Sequence, residues 1–391
     1  MTTLDKLAAL GVKFADGQNE PTTTTVEVPD IAALRSLLDL GLDADGRRAH
    51  FDAMFETDGA EEDVVRQIAA HAVGDAQLSD SVQKATSAMF PLRVQLTAAP
   101  GPITVDSKKD LSTSDGTPSV VVFTDVTMNP GGYFYCSATT LSFTCDTLTR
   151  NGTSGVAGDF LVVGATGATP PKPATPGAAG QAQSGGPGQC SSGGIAGPGG
   201  GNGTHGNPGT PGTPGSPGGT GIASQAATIM IKNTLTASNL VVHTQSGPGG
   251  TGGEGGDGGK GQQGGNGGNG VTCGCTGNGG GTGADGGLGG KGGRAGDGGN
   301  GINASGGITV YVPTNADIAK VIKSPQPAPP GQPGNPGNGG TGGDGGAGSS
   351  GGKYNGGGGG GGTGGPGGPG DQGNAGTVPG QPAAITVLIT P

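Results

Sequence analysis

Tryptophan is absent from the 391 residues, and aromatic residues make up only 3%. Hydrophobic residues reach 30%, against the roughly 45–50% of an ordinary globular domain. One large apolar core is therefore excluded. Basic residues are scarce too: 19 Lys and Arg stand against 29 Asp and Glu, a net charge of −10. Phosphate binding needs a basic face, so a nucleic-acid partner is not expected, and an anionic membrane surface is disfavoured for the same reason. No apolar run is long enough to span a membrane, so membrane insertion is not expected either. The opening "MTTLDKLAALGVKFADG" has no apolar stretch of signal-peptide length. Export without a cleaved signal, or release as a virion part, is the expectation, with an extracellular, cell-surface or virion-surface location.

Glycine is what the chain has in excess, 94 residues of it, with 30 prolines. The glycines are segregated, since only 13 precede Gly164. In "GPGGTGGEGGDGGKGQQGGNGGNG", Gly249, Gly252, Gly255, Gly258, Gly261, Gly264, Gly267 and Gly270 keep a strict period of three. Residues 197–221 keep the same period, as do 331–346, and 277–301 keep it through Gly283, Gly286, Gly289 and Gly292 with a lapse at Ala295. Polyproline II has three residues per turn and rises about 3.1 Å per residue, so a glycine at every third position clears one edge of a rod and Gly-Gly-x clears two. Bare edges let backbones approach until amides reach the carbonyls of adjacent rods. Thr251, Glu254, Asp257, Lys260, Gln263, Asn266 and Asn269 are left on the remaining, polar edge. An intramolecular bundle is the preferred reading. A collagen-like trimer and flexible disorder are the alternatives, because collagen shares the period and ordering glycine is costly in entropy.

Strand signals separate these tracts. "VVVFTDVTM", "TTLSFTCDTL", "DFLVVG", "ATIMIKNTLTASNLVVH", "GITVYV" and "AITVLIT" alternate apolar and polar residues or run apolar. Toward the N-terminus the spacing is helical: Leu4, Leu7 and Leu10; Ile31, Leu34, Leu37 and Leu38 after the N-cap candidate Asp30; Val65, Ile68 and Ala72; Leu78, Val82, Ala85 and Met89. "TTTTVEV" between the first two reads as an extended stretch. The expected fold class is multidomain. A small all-α domain for assembly or docking spans 1–92, a β-strand domain spans 93–163, and a glycine-rich polyproline II bundle spans 164–391. The bundle is interleaved with strands at 222–245, 302–313 and 384–391, and the strands form a β-solenoid or sandwich scaffold.

The five cysteines, Cys136, Cys145, Cys190, Cys273 and Cys275, are the candidates for disulfides. An odd number is no framework by count alone. Cys273 or Cys275 of "CGC" pairing with a cysteine on a neighbouring rod is the favoured staple for a bundle with little core. A C-x-C with no second Cys or His cluster is not a zinc site, so no metal and no cofactor is expected. His50, His71, His205 and His243 fall in separate segments. G-x-G-x-x-G matches follow from the repeat, and no Lys-Ser/Thr completes a phosphate loop. "GTGADGGLG" misses the calcium nonapeptide, because Leu288 lies three residues after Asp285 instead of two. Asp257, Asp285, Asp297 and Asp344 read as solvated edge residues.

"GGTGGEGGDGGKG" and "GGLGGKGGRAGDGGNG" resemble the glycine-rich repeats of mycobacterial surface proteins. They are also similar to the polyproline II bundles of phage long-tail-fibre tip adhesins and of snow flea antifreeze protein. The resemblance covers residues 164–380 and implies a way of packing. The N-terminus departs from the mycobacterial pattern, with no Pro-Glu opening and no W-x-G. The expected function is a non-enzymatic, self-assembling, filament-like structural protein whose partner is itself. A receptor-binding adhesin, with rod-end loops on a cell-surface receptor, is the alternative, and ice binding is third.

Overall fold

The computed structural model describes residues 21–33, 84, 90–99 and 101–390. The chain is mostly strand, 30%, with 3% helix, and this overturns the expected fold class with its all-α N-terminal domain. Inside the expected helical domain, the stretch read as extended is a strand: the four threonines and two valines of β1 (Thr22–Val28) pair antiparallel with β2 (Leu92–Ala98). Their β-branched side chains suit a pleated surface. Val26 and Val28 pack with Val94, Leu96, Val120 and Val122, so β1 belongs to the main sheet and not to a separate bundle. A helical turn does open at Ile31, where Asp30 caps it by accepting the Ala33 N–H. The helices read around Leu4–Leu10, Val65–Ala72 and Leu78–Met89 lie outside the described residues, apart from Lys84, which is helical.

After β2 the strands alternate between two sheets. β3 (Ile103–Val105), β5 (Ser119–Met128), β7 (Leu141–Arg150), β11 (Ala227–Thr236), β15 (Ile308–Val312) and β17 (Ile385–Ile389) join β1 and β2 in an 8-stranded sheet. β4 (Lys108–Asp110), β6 (Tyr133–Ser137), β8 (Phe160–Val163), β12 (Leu240–Gln245) and β16 (Val321–Gln326) make a 5-stranded one. Every pairing among these strands from β3 onward is parallel. The chain therefore crosses from one sheet to the other and back, adding one rung each time. A short helix, α1 (Asn315–Ile318), makes one of the crossings.

The apolar core lies between the sheets, and the period-two alternation fills it. Leu141, Phe143, Cys145 and Leu148 of β7 point in while their neighbours are half-buried. Phe134, Phe143 and Phe160 meet there with ring centroids 4.9–5.1 Å apart, separations favourable for aromatic pairs.

Three of the crossings are greatly lengthened. The residues after β8, β12 and β16 run outward as extended rods, turn, and return to β11, β15 and β17. Rods 1 and 2 are residues 165–189 and 197–222, rods 3 and 4 are 247–271 and 278–302, and rods 5 and 6 are 328–352 and 356–380. Outgoing rods bond in parallel: the Gly167 N–H donates to the Pro248 carbonyl, and Gly249 to Pro329. Returning rods do the same, Gly200 to Gly279 and Gly283 to Gly359. Between the two layers the bonds are antiparallel, as from Gly253 to Ser216, Gly293 to Gly256 and Gly340 to Gly290. Each rod layer thus continues the direction of a strand layer. Where strand ladders stop, backbone bonds at every third residue take over.

Across rods 1 to 4, glycine density follows the number of neighbours. Rods 3 and 4 each border four other rods, and they carry Gly-Gly-x. In rod 3 the first glycine of the pair donates to rod 5 and the second to rod 2, as Gly252 does to Gln332 and Gly253 to Ser216. Rod 2 borders three rods and carries one glycine per triplet, with Pro208, Pro211, Pro214 and Pro217 among the rest. Rod 1 borders two and turns Pro170, Pro173 and Pro176 toward Gly253, Gly256 and Gly259.

Candidate functional site: the joined rod tips

The three outgoing rods end together. The first tip is a hairpin of β9 (Cys190–Ser191) and β10 (Ile195–Ala196), turned by Gly193 and Gly194 at φ +92° and +77°. The second pairs β13 (Thr272–Cys273) with β14 (Thr276–Gly277), turned by Gly274 at φ +57°. Such left-handed values suit glycine because no Cβ meets the backbone. A disulfide joins Cys190 to Cys273, 83 residues apart in sequence. The third tip, around Lys353 and Tyr354, is held by hydrogen bonds: the Lys353 N–H donates to Thr272 Oγ1, and Asn355 Nδ2 to the Gly277 carbonyl.

Asn278 binds all three tips. Its buried side chain accepts the Val271 N–H through Oδ1 at 2.7 Å and donates through Nδ2 to the carbonyls of Gln189 (3.0 Å) and Pro198 (2.7 Å). Its backbone carbonyl accepts the Gly352 N–H. An amide side chain has both donors and acceptors, which is what three converging chain ends require.

The surface so formed carries unusual residues for a chain with few aromatics. Tyr354 is 84% exposed and Ile195 63% exposed. Lys353 Nζ lies 5.0 Å from the centroid of the Tyr354 ring. Tyr354 also sits at φ 65°, a left-handed backbone that few residues other than glycine adopt. Cys275 is an exposed free thiol at the same end.

Of the five cysteines read as disulfide candidates, then, Cys190 and Cys273 pair across rods. Cys136, Cys145 and Cys275 are free. Cys136 and Cys145 are buried in opposite sheets of the core, on β6 and β7, and burial pushes the Cys136 thiol up to about 12 and raises Cys145 as well. The alternation that put them in strands also put them in apolar surroundings, where the thiolate is disfavoured.

The glycines singled out as rod-packing all lie at rod contacts. Gly249, Gly252, Gly255, Gly258, Gly261, Gly264, Gly267 and Gly270 donate to rod 5, and Gly283, Gly286, Gly289 and Gly292 to rod 6. A Cβ on any of them would fall within 3.0 Å of a backbone carbonyl oxygen.

The acidic edge residues lean onto the next rod. Lys172 bonds Asp257 at 3.0 Å, Lys260 bonds Asp344 at 2.8 Å and Lys291 bonds Asp371 at 2.8 Å. These pairs are exposed or half-exposed and contribute little each. His243 is buried on β12 with Nδ1 3.1 Å from Ser324 Oγ, and burial lowers its pKa. His205 is exposed on rod 2, 3.8 Å from Asp285, while His50 and His71 lie outside the described residues. Among the described residues, no three His, Cys, Asp or Glu side chains come together as metal ligands, and no helix is long and apolar enough to cross a membrane.

Compared with protein families, characterised proteins and solved structures, the chain matches none.

Proposed function

We propose that this is a non-enzymatic structural protein of a cell, virion or extracellular surface, which self-associates and makes its outward contact through the joined rod tips. The strand layers are the base. The rods are spacers of roughly 75 Å, at about 3.1 Å per residue. Tyr354 carries the reading. An aromatic ring is held out in water, on a backbone that disfavours any side chain, at the one end where three chain reversals are stapled together. Such local strain costs on the order of 1–3 kcal/mol and clusters at functional positions such as ligand clamps and switch regions. That favours the receptor-binding form of the structural role over an open filament.

Fluorescently labelled full-length protein, applied to a panel of intact bacterial cells and to a glycan array, tests the proposal. Retention by at least one surface is expected. Tyr354→Gly should keep or raise the melting temperature, since glycine accepts the left-handed backbone, and should reduce that retention about tenfold or more. Equal retention by the variant, or none by the wild type, removes the tip from the account. Negative-stain microscopy then separates the two structural forms, with ordered polymers marking a filament and discrete particles an adhesin.

A further inference from the structure

Rods 2 to 4 share a rule that rods 5 and 6 leave incomplete and that Pro170, Pro173 and Pro176 interrupt in rod 1. In rod 3, one amide per triplet from Gly249 to Gly270 donates to rod 5, and in rod 4 one per triplet from Gly280 to Gly301 donates to rod 6. Rod 5 carries the equivalent row. At its base that row is Pro330, Pro333 and Pro336, which have no N–H. Toward the tip it becomes Gly339, Gly342, Gly345 and Gly348, whose amides have no acceptor among the described residues. Rod 6 supplies the complement. The carbonyls of Gly361, Gly364 and Gly367 occupy the places that Ala284, Gly287 and Gly290 hold in rod 4, where each accepts an N–H from rod 5. On rod 6 they accept nothing among the described residues. One edge of the slab therefore has a donor row on one rod beside an acceptor row on the other, over the same tip-proximal half.

We infer that this edge is the interface between two copies of the chain. Such an edge is complementary to itself. A two-fold axis parallel to the rods sets rod 5 of each copy against rod 6 of the other, so that each donor row meets an acceptor row. The contact is antiparallel, as is every contact between the two layers inside the molecule. The interface thus continues a packing that the chain already uses. The facing rows are Gly339, Gly342, Gly345 and Gly348 on rod 5 and Gly360, Thr363 and Pro366 on rod 6, so bare backbone meets bare backbone at the tip end, around Gly360. A second copy stacked by translation is excluded, because the strands from β1 to β6 extend the base beyond rod 1 and would keep rod 1 of the next copy away from rod 6. The pair closes on itself and carries both sets of tips at the same end. This inference rests on the self-association in the proposed function and is independent of what the tips bind.

Two adjacent residues provide the test. A Cβ at Gly360 would face the open edge, 3.5 Å from the Gly346 carbonyl oxygen and 3.7 Å from the Gly348 nitrogen, which is ordinary contact. A Cβ at Gly359 would lie on the broad face and meet nothing within 4 Å. Both sites accept a side chain within one molecule. Sedimentation of the full chain should give twice the 36.9 kDa chain mass for wild type and for Gly359→Glu. Gly360→Glu should weaken association by about tenfold or more, as expected from the loss of a row of hydrogen bonds. Thr363→Arg, on the same edge, should behave like Gly360→Glu. Amide exchange at Gly339, Gly342 and Gly345 should be slow in the wild-type pair and fast in Gly360→Glu. A wild type that sediments as a monomer at its highest soluble concentration overturns the inference. So does a Gly360→Glu that pairs as tightly as wild type. Neither result bears on Tyr354, so failure here and failure of the tip proposal are told apart.

Discussion

Whether a glycine is needed depends on what its missing Cβ would touch, and the answer differs between neighbouring rods. A Cβ at Gly287 in rod 4 would fall within 3.0 Å of the Asn207 carbonyl, while its own N–H donates to Gln262. At Gly368 in rod 6 it would meet nothing within 4 Å. Gly287→Ala should therefore lower stability by about 1–3 kcal/mol or more, since backbone on both sides cannot give way. Gly368→Ala should raise it by roughly 0.4–1 kcal/mol, because alanine restricts the unfolded chain and costs the folded one nothing. Chemical denaturation of the two variants checks both signs. His243 gives a second single-residue outcome. Burial lowers its folded pKa below the ordinary 6.5, so its contribution to stability is complete above pH 6.5 and is lost as pH falls through the lowered folded value. The melting temperature should drop between pH 7.5 and 5, and His243→Gln should flatten that drop.

Among elements, backbone bonds outweigh side-chain pairs in holding the rods. A typical hydrogen bond nets about 0.5–1.5 kcal/mol, and rods 2 to 6 make one or two per triplet. An exposed ion pair such as Lys291–Asp371 contributes about 0–1 kcal/mol. Lys291→Ala should thus leave the melting temperature nearly unchanged, and raising the salt concentration should do likewise. The tips depend on fewer, more specific links. Replacing Cys190 and Cys273 together by serine should cost about 2–4 kcal/mol. Asn278→Ala should cost roughly 1–3 kcal/mol, because it strands buried backbone groups. For both, amide exchange should speed up at 190–196 and 271–278, with little change at Gly256 or Gly290 in mid-rod.

Much at this scale was legible beforehand. The period of three marks the positions whose amides donate, and the alternations at Leu141–Cys145 and Ile308–Val312 mark strands. What misled was reading leucine and valine spacing as a helical domain up to residue 92, when the extended "TTTTVEV" already pointed to the strand that pairs with β2. What stayed hidden were long-range facts. Neither the pairing of Cys190 with Cys273 nor the hub at Asn278 has a local signature, because each depends on which chain reversals meet in space.

At the scale of the whole molecule, the rods and rungs behave as one repeat. Contacts recur between positions 81 residues apart along the outgoing layer, from Asp257 to Asn338, Asn266 to Ala347 and Thr272 to Lys353. That distance is a multiple of three, so glycines keep their phase from one layer member to the next. It also contains two rods and one complete pair of strands, so each unit delivers the chain to the same place one rung further on. Stability in such an array comes from each unit and its contact with the next, and loss of an inner unit leaves its neighbours able to meet. Excising residues 247–327 removes 81 residues and joins Ser246 to Ala328. Rod 1 is then expected to donate to rod 5 as it did to rod 3, and rod 2 to rod 6 as it did to rod 4. The product should unfold cooperatively at a lower temperature than the intact chain, because it has lost a rung and the Cys190–Cys273 staple. Excising one residue more or fewer shifts the rod 5 glycines by one position, which sets Asn338 or Pro336 where Gly337 must donate. Those two shifted chains should lack slow-exchanging rod amides altogether. If all three deletions exchange alike, the three-residue phase is not what couples the rods.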